Sequence, residues 1–458
     1  MRLRRINIYP KERIMHKKRL SPVQLITLSF AALVMCGALL LMLPISSRNG
    51  ASVPLINALF TSTSAACVTG LVVYDTFAQW TPFGQTVIIC LIQIGGIGII
   101  TLAMYLLSML GAKVGMRNMF ALKESIGAES TAGIMRMTRF IAYGILLQEF
   151  VGALLLMPVL IPEFGAVRGI LYSFFHSISA FCNAGFDLMS SAGSSSLSKF
   201  GGNLYFNLVI CLLVTFGGLG FFVWLDLIKT RFRFSKFALH TKIVVVSSLI
   251  LTFGGALVFF ILFYNSEAAV GMSAYEKGIA AIFQSVSART AGFCTVDLSK
   301  IGGAAQVLMM ALMLVGGSSG STAGGMKTTT LAATVLLVRS IFQGKEDVEV
   351  FGRRIDRSVI RTAIAIFVLY LGLALGSGVA ISAIEGADIV TCLFETFSAV
   401  ATVGLSLSLS PTLSVASKII VICLMFIGRV GGLTVLFSLS GKTDKPVGRY
   451  PAENITVG

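Results

Sequence analysis

The sequence predicts an all-α integral membrane protein of four pseudo-repeats, each a helix, a pore half-helix and a second helix, arranged around one central axis. Three observations lead there. The 458-residue chain is 55% hydrophobic and only 12% charged, with mean hydropathy +0.88, which leaves too little polar surface to cover a soluble core of this size. The pattern Phe-x-[Ser/Thr]-x-Ser-Ala recurs four times at near-equal intervals, beginning at Phe60, Phe175, Phe283 and Phe394, and each copy is followed by a glycine and a bulky apolar residue. Apolar runs of about 20 residues or more, enough to cross about 30 Å of hydrocarbon, flank every copy.

Those runs divide the chain. A basic segment, residues 1–21, precedes the first repeat at 22–112; residues 113–236 carry a loop and the second repeat, and 237–345 the third. Residues 346–440 carry a loop and the fourth repeat, and 441–458 form a tail. Ahead of the motifs run Val23–Leu43, Arg139–Leu160, Phe237–Tyr264 and Ser358–Ile384; behind them run Phe83–Leu110, Leu204–Ile228, Ala304–Ile341 and Ser417–Ser438. Of the 36 Lys/Arg, 27 fall in the segments that share a side with the N-terminus. Seven, Arg289 among them, fall on the other side, and Lys327 and Arg429 remain within the membrane. The asymmetry predicts a multi-pass protein with both termini in the cytoplasm.

Composition also excludes function classes. The net charge of +16 sits at helix ends rather than in one stripe, so membrane lipid headgroups and an acidic cytosolic partner explain it better than nucleic acid. The first apolar run is too long for a removable signal peptide. The sequon at Asn454 falls in the cytoplasmic tail and is expected to stay unmodified. The eight cysteines include no C-x-x-C pair and read as small apolar packers; the three scattered histidines offer no zinc site. No acid–base pair or nucleophile with its base suggests an enzyme, and no covalent cofactor is expected.

Each motif lies in a stretch too short to cross. Leu55–Ala65 makes about 16 Å of helix, so it enters halfway and returns. The third such stretch opens with a capping-box signature, Ser273 and Glu276. A half-helix of this kind aims its partially negative C-terminal end at the midplane, which favours a cation. After it come Val68-Thr69-Gly70, Asn183-Ala184-Gly185, Thr290-Ala291-Gly292 and Thr402-Val403-Gly404. Non-helical backbone survives at this depth only when buried in protein or facing water. Four such strands around one axis would offer rings of carbonyl oxygen in place of a cation's hydration shell. The third copy departs from the rest, with three residues instead of four between Ala288 and Gly292, and with a charge at Arg289.

One level lower, the third post-motif run is anomalous. Ala304–Ile341 would be about 57 Å as one helix, and its middle reads Gly316-Gly317-Ser318-Ser319-Gly320-Ser321-Thr322-Ala323-Gly324-Gly325. Such a stretch is tolerable only beside a wet cavity. It is a near miss for a phosphate-binding loop, but Met326 breaks the spacing before Lys327 and no strand precedes it; a flap that obstructs the pore is the better reading. Arg429, flanked by Gly428, Gly431 and Gly432, costs at least about 2.5–3.5 kcal/mol near the bilayer centre. It is either a fixed positive barrier below the strands or a structural partner of Glu149. Lys327 either acts with it or snorkels to the cytoplasm. The clusters Gly95-Gly96-Ile97-Gly98 and Gly217-Gly218-Leu219-Gly220 mark bends or close helix approach, and only the third span is expected to be broken.

The four span–half-helix–span units, one glycine per unit, and Phe83-Gly84-Gln85-Thr86-Val87-Ile88 resemble the Trk/Ktr/HKT superfamily of potassium transporters. Gly324-Gly325-Met326-Lys327-Thr328-Thr329 and Ile427-Gly428-Arg429 narrow the likeness to the Ktr-type membrane subunit (KtrB/KtrD type), from about Pro22 to Tyr450. The resemblance implies potassium uptake, with a potassium ion in a filter of the twelve residues from the four strands and sodium as a second candidate ion. It implies a gate built from Gly316–Gly325, Lys327 and Arg429. It also implies a homodimer in the bacterial plasma membrane, the tail near the contact, and a cytoplasmic ring of nucleotide-binding subunits (KtrA/KtrC type). Two rivals are a carrier that rocks two halves around a midplane site, and a membrane enzyme or scaffold.

Overall fold

The computed structural model describes residues 22–98, 101–102, 134–193 and 196–432; the basic N-terminal segment, most of the first cytoplasmic loop, the tail and Asn454 lie outside them. The first repeat is α1 (Pro22–Met42), the half-helix α2 (Leu55–Ala66), a short α3 (Thr76–Gln79) and α4 (Pro82–Ile97). The second is α5 (Ile134–Phe164), the half-helix α6 (Ala166–Phe181), α7 (Leu204–Leu219) and α8 (Phe221–Thr230). The third is α9 (Leu239–Phe263), which contains a π-turn at Ile250–Gly254, then the half-helix α10 (Ala274–Ser287), α11 (Gly303–Leu314) and α12 (Thr328–Phe342). The fourth is α13 (Arg357–Glu385), the half-helix α14 (Ile389–Val400) and α15 (Val415–Val430). One two-residue hairpin, β1 (Glu349–Val350) with β2 (Arg353–Arg354), joins the last two repeats. The fold is all-helical.

The leading helices of the repeats, α1, α5, α9 and α13, are long and apolar enough to cross a bilayer. Only 33% of the α1 window and 22% of the α13 window is buried in protein, so most of each faces outward, as a helix solvated by lipid should. The second helices begin with side-chain caps at Thr81, Asn203 and Ser414. The expected capping box of α10 is formed: Ser273 accepts from the Glu276 amide, and Glu276 accepts from the Ser273 amide at 2.8 Å.

The second helices correct the sequence reading. A break was expected in the third alone, with bends or close approach at the glycine clusters of the first two; α7 and α8 in fact meet at Gly220 with a 95° bend, which breaks that span as well. Likewise α4 stops at Gly98 (φ 88°) and α15 at Gly431 (φ 98°). The cause is tertiary. Three residues before each of those glycines sits another, Gly95, Gly217 and Gly428, pressed onto the last carbonyl of its own half-helix, at Ala66, Phe181 and Val400 respectively. A Cβ at any of the three would overlap that oxygen. The chain then turns away through a positive-φ glycine, a conformation that costs other residues steric strain.

Two apolar cores hold the ring together. One is drawn mainly from the first two repeats and reaches Phe283 and Phe293 of the third. The other is drawn mainly from the last two and takes in Phe60 and Leu71 of the first. The motif phenylalanines Phe60, Phe175, Phe283 and Phe394 are all buried.

Candidate ion-conduction site

The motif's polar positions explain why it repeats. Its third residue ties the half-helix to the leading helix: Ser62 donates to the Val34 carbonyl at 2.7 Å, Ser177 to Glu149 at 2.6 Å, Ser285 to Thr252 at 2.8 Å and Thr396 to Ala374 at 2.9 Å. Beside each hydroxyl the leading helix carries a glycine, Gly37, Gly152, Gly255 or Gly378, where a Cβ would crowd it. The fifth residue holds the strand that follows. Ser64 and Ser398 accept from the amides of Gly70 (3.1 Å) and Gly404 (3.0 Å), while Ser179 and Ser287 donate to the carbonyls of Phe186 (2.7 Å) and Phe293 (2.6 Å). Position two braces the outgoing segment in three repeats. His176 accepts from the Leu188 amide, Gln284 donates to Thr295, and Glu395 accepts from Ser406 and Ser410. Sequence reading found the motif but assigned these hydroxyls no role; their fixed place in all four copies was the available signal.

The four strands meet. A Cβ built on Gly70 would lie 2.6 Å from the Ala184 carbonyl oxygen and 3.2 Å from the Gly185 Cα. One on Gly185 would lie 2.8 Å from the Ala291 oxygen, and one on Gly292 2.5 Å from that of Val403; on Gly404 it would overlap the Thr69 oxygen. Each glycine therefore faces the carbonyl that precedes the next glycine, in the order 70, 185, 292, 404 and back to 70. Val68, Asn183, Thr290 and Thr402 all take positive φ, at 57°, 61°, 89° and 53°. Ten of the twelve sequence-predicted strand residues are buried, and Gly292 and Gly404 are partly exposed. Hydroxyls of Thr69, Thr290 and Thr402 and the amide oxygen of Asn183 lack protein partners among the described residues.

The segment Gly316–Gly325 lies directly beneath. Its ends join through a bridge between Val315 and Met326, with the Gly316 amide donating to Met326 at 2.8 Å. Thr322 donates to the carbonyls of Phe181 (3.0 Å) and Gly217 (3.1 Å) and accepts from Asn183 at 3.1 Å. Gly325 donates to the Gly428 carbonyl at 3.2 Å, and Phe221 to that of Gly320 at 2.7 Å. The segment is thus fastened to the glycine breaks of the second and fourth repeats. Lys327 donates to Ala323 at 2.8 Å and Gly324 at 3.4 Å. The Arg429 guanidinium donates to the carbonyls of Thr322, Gly95 and Gly96. Glu149 is not its partner: that carboxylate accepts from Gln93 at 2.9 and 3.0 Å and lies 3.6 Å from the Cys182 thiol. A cavity of about 310 Å³, lined by Lys327, Arg429, Thr101, Thr330 and Tyr370 among others, lies on the far side of the segment from the strands.

Arg289 packs against the third leading helix. It follows the last turn of α10, level with the ends of the other half-helices, and donates to Ser248 and Thr252 within α9. Among the described residues no group of His, Cys, Asp and Glu could hold a metal ion.

The geometry agrees with what the chain is similar to. A potassium/sodium uptake protein, NtpJ, of Enterococcus hirae is 39% identical over 448 residues, covering 96% of this chain and 98% of that one. The Ktr system potassium uptake protein B of Bacillus subtilis is 38% identical over 454 residues, covering 98% and 99%. The crystal structure of the potassium transporter TrkH from Vibrio parahaemolyticus superposes with a TM-score of 0.72 over 94% of this chain and 87% of that one, at 20% identity, a likeness of fold. The family described as TrkH, cation transport protein, matches residues 16–445. A multi-pass helical membrane protein with four converging strands, the chain belongs to the TrkH/Ktr family of cation transport proteins.

Proposed function

We propose that this chain is the ion-conducting subunit of a potassium uptake system of the plasma membrane, both termini cytoplasmic, with potassium as cargo. The observation that carries the proposal is the closed sequence of glycine-to-carbonyl contacts among Gly70, Gly185, Gly292 and Gly404. Carbonyls held by buried hydroxyls and half-helix ends can replace a cation's hydration shell. Potassium as the ion is supported by the names of the relatives and by a glycine in all four strands. Gly316–Gly325 acts as the gate. Lys327 and Arg429 hold its carbonyls from below, and their fixed charge raises the barrier to a cation leaving the strands. A sodium requirement is supported by the printed name of one relative. The pairing into a homodimer and the opening of the flap by a cytoplasmic nucleotide-binding ring (KtrA/KtrC type) follow from the likeness to Ktr systems.

A carrier reading draws support from the bend at Gly220, since discontinuous helices frame the sites of secondary transporters. Potassium influx into liposomes holding the purified chain, with and without sodium and the cytoplasmic ring, tests both. Fast influx that grows with the gradient is expected. Saturation at low rates would favour the carrier, and absence of flux would refute conduction. In the same assay Gly70→Ser is expected to weaken discrimination against sodium, and an unchanged ratio would count against the filter.

A further inference from the structure

We propose that Arg289 is a positioning residue that sets the third filter strand, and through it the preference among cations; this rests on the filter reading above. The third strand is the weakly supported one. It has one residue fewer than its counterparts, and its left-handed residue Thr290 is opened to φ 89° where Val68, Asn183 and Thr402 lie between 53° and 61°. The amides of Thr69, Ala184 and Val403 each reach the matching serine carbonyl at 2.7–2.8 Å. In the third strand Ala291 (2.9 Å) and Gly292 (3.4 Å) share the Ser287 carbonyl. The seat beneath it also differs. The half-helix ends at Ala66, Phe181 and Val400 rest on a glycine of the following helix, whereas α11 ends at Leu314 and the glycine after it, Gly316, faces the Thr290 side chain and the carbonyls of the flap instead of a half-helix carbonyl.

Arg289 supplies another anchorage. From the end of α10 its side chain runs to α9, where Nη1 donates to the Ser248 carbonyl at 3.2 Å and to Thr252 Oγ1 at 3.3 Å, and Nη2 to Ser248 Oγ at 3.4 Å. Those acceptors flank and enter the π-turn Ile250–Gly254, a local unwinding of the kind common at functional positions. No carboxylate pairs with Arg289 among the described ion pairs, so a planar fork of donors, and not ion pairing, is what the position uses. A space of about 20 Å³ bordered by Arg289, Thr252 and the flap's Gly317 separates this anchor from the gate. The chain of effect is short: the fork fixes residue 289, two residues on stands the Ala291 carbonyl, and that oxygen is the neighbour Gly185 faces.

The test measures potassium and sodium influx into liposomes under equal gradients for the full chain and for Arg289→Met, Arg289→Lys, Thr252→Val and Gly292→Ser. Losing a charged fork's hydrogen bonds is expected to lower the potassium-to-sodium ratio about tenfold in Arg289→Met. Arg289→Lys stays low, because one ammonium cannot reproduce the fork, and Thr252→Val shifts the same way by less. Wild-type preference in Arg289→Met, or its full restoration by lysine, overturns the assignment. Should Arg289→Met not assemble, wild-type preference in Thr252→Val overturns it instead. Gly292→Ser separates the two readings: if it alone changes the ratio, the filter stands and Arg289 falls, and if no variant changes it, the filter itself is refuted.

Discussion

Ser64 shows how much one hydroxyl can carry. It accepts from the amide of Gly70 at 3.1 Å, inside a fully buried turn. Alanine there leaves a buried N–H without a partner, a cost of about 1–3 kcal/mol, concentrated on the strand whose glycine faces Ala184. Ser64→Ala is therefore expected to lower the potassium-to-sodium uptake ratio with modest loss of protein, whereas Ser62→Ala, whose carbonyl partner Val34 lies in a helix, should mainly reduce abundance. Equal ratios in the two variants would contradict this division. Asp187 offers a second residue-scale test from the outgoing segment beyond the second strand. Burial and then the neighbouring Asp75 push its carboxyl up to about 6, against the Met189 amide and the Ser196 hydroxyl, which lower it. The group is charged above that value and neutral below it. As a carboxyl raised in the fold, it favours the folded state fully below its unfolded value near 4 and loses that contribution as pH rises through 6. Its attraction for cations runs the opposite way, so potassium influx should fall as external pH drops through about 6, and Asp187→Asn should flatten that step. A step of the same size in the variant would assign it elsewhere.

Among the helices, what the sequence made legible were those decided by composition, and what it hid were those decided by contact. The leading helices follow from unbroken apolar length, and the half-helices from the motif. The breaks at Gly98, Gly220 and Gly431 do not follow from apolar length, because the run continues through them; the glycine clusters marked close approach at the first two, and the contact itself is Gly95, Gly217 and Gly428 pressing onto a half-helix carbonyl. Arg429 was recognisable as a membrane arginine, but its partners are backbone carbonyls of Thr322, Gly95 and Gly96, which no side-chain pattern announces. Arg289 was recognisable as a charge beside the third strand, but its partners Ser248 and Thr252 in α9 were not. The flap's dependence on these breaks gives a clean test. Thr322 makes three side-chain hydrogen bonds, to Phe181, Gly217 and Asn183, and valine keeps its shape while removing all three. A loss of one or two kcal/mol shifts a two-state balance by about 5–30-fold. Thr322→Val should thus raise flux several-fold in the absence of any cytosolic partner, as should deletion of part of Gly316–Gly325. Unchanged or lower flux at normal abundance would show that the segment is not the barrier.

Seen as one molecule, the chain is four quarters that agree in one ring and disagree just beneath it. The agreement is in hydroxyls, half-helix ends and glycines; the disagreement is in the third quarter's short strand, its flap, and Arg429 of the fourth. A ring closed by glycine-to-carbonyl contacts has a property that four independent binding loops would lack: a side chain introduced anywhere displaces the carbonyl of the next strand. Serine at Gly70, Gly185, Gly292 or Gly404 should therefore impair potassium preference at every position, because each new Cβ meets a neighbour's oxygen. The severity should follow the room available, greatest at Gly404, where the Thr69 oxygen overlaps the new atom, and least at Gly185, where 2.8 Å remains to Ala291. Each site also holds positive φ, from 68° at Gly185 to 95° at Gly70 and Gly404, so strain and clash agree on the two extremes, Gly185 and Gly404. Uptake ratios measured for the four single variants decide the matter. A graded loss at all four supports one shared filter, whereas wild-type preference in any one variant would remove that quarter from the ring and leave the remaining strands to select the ion.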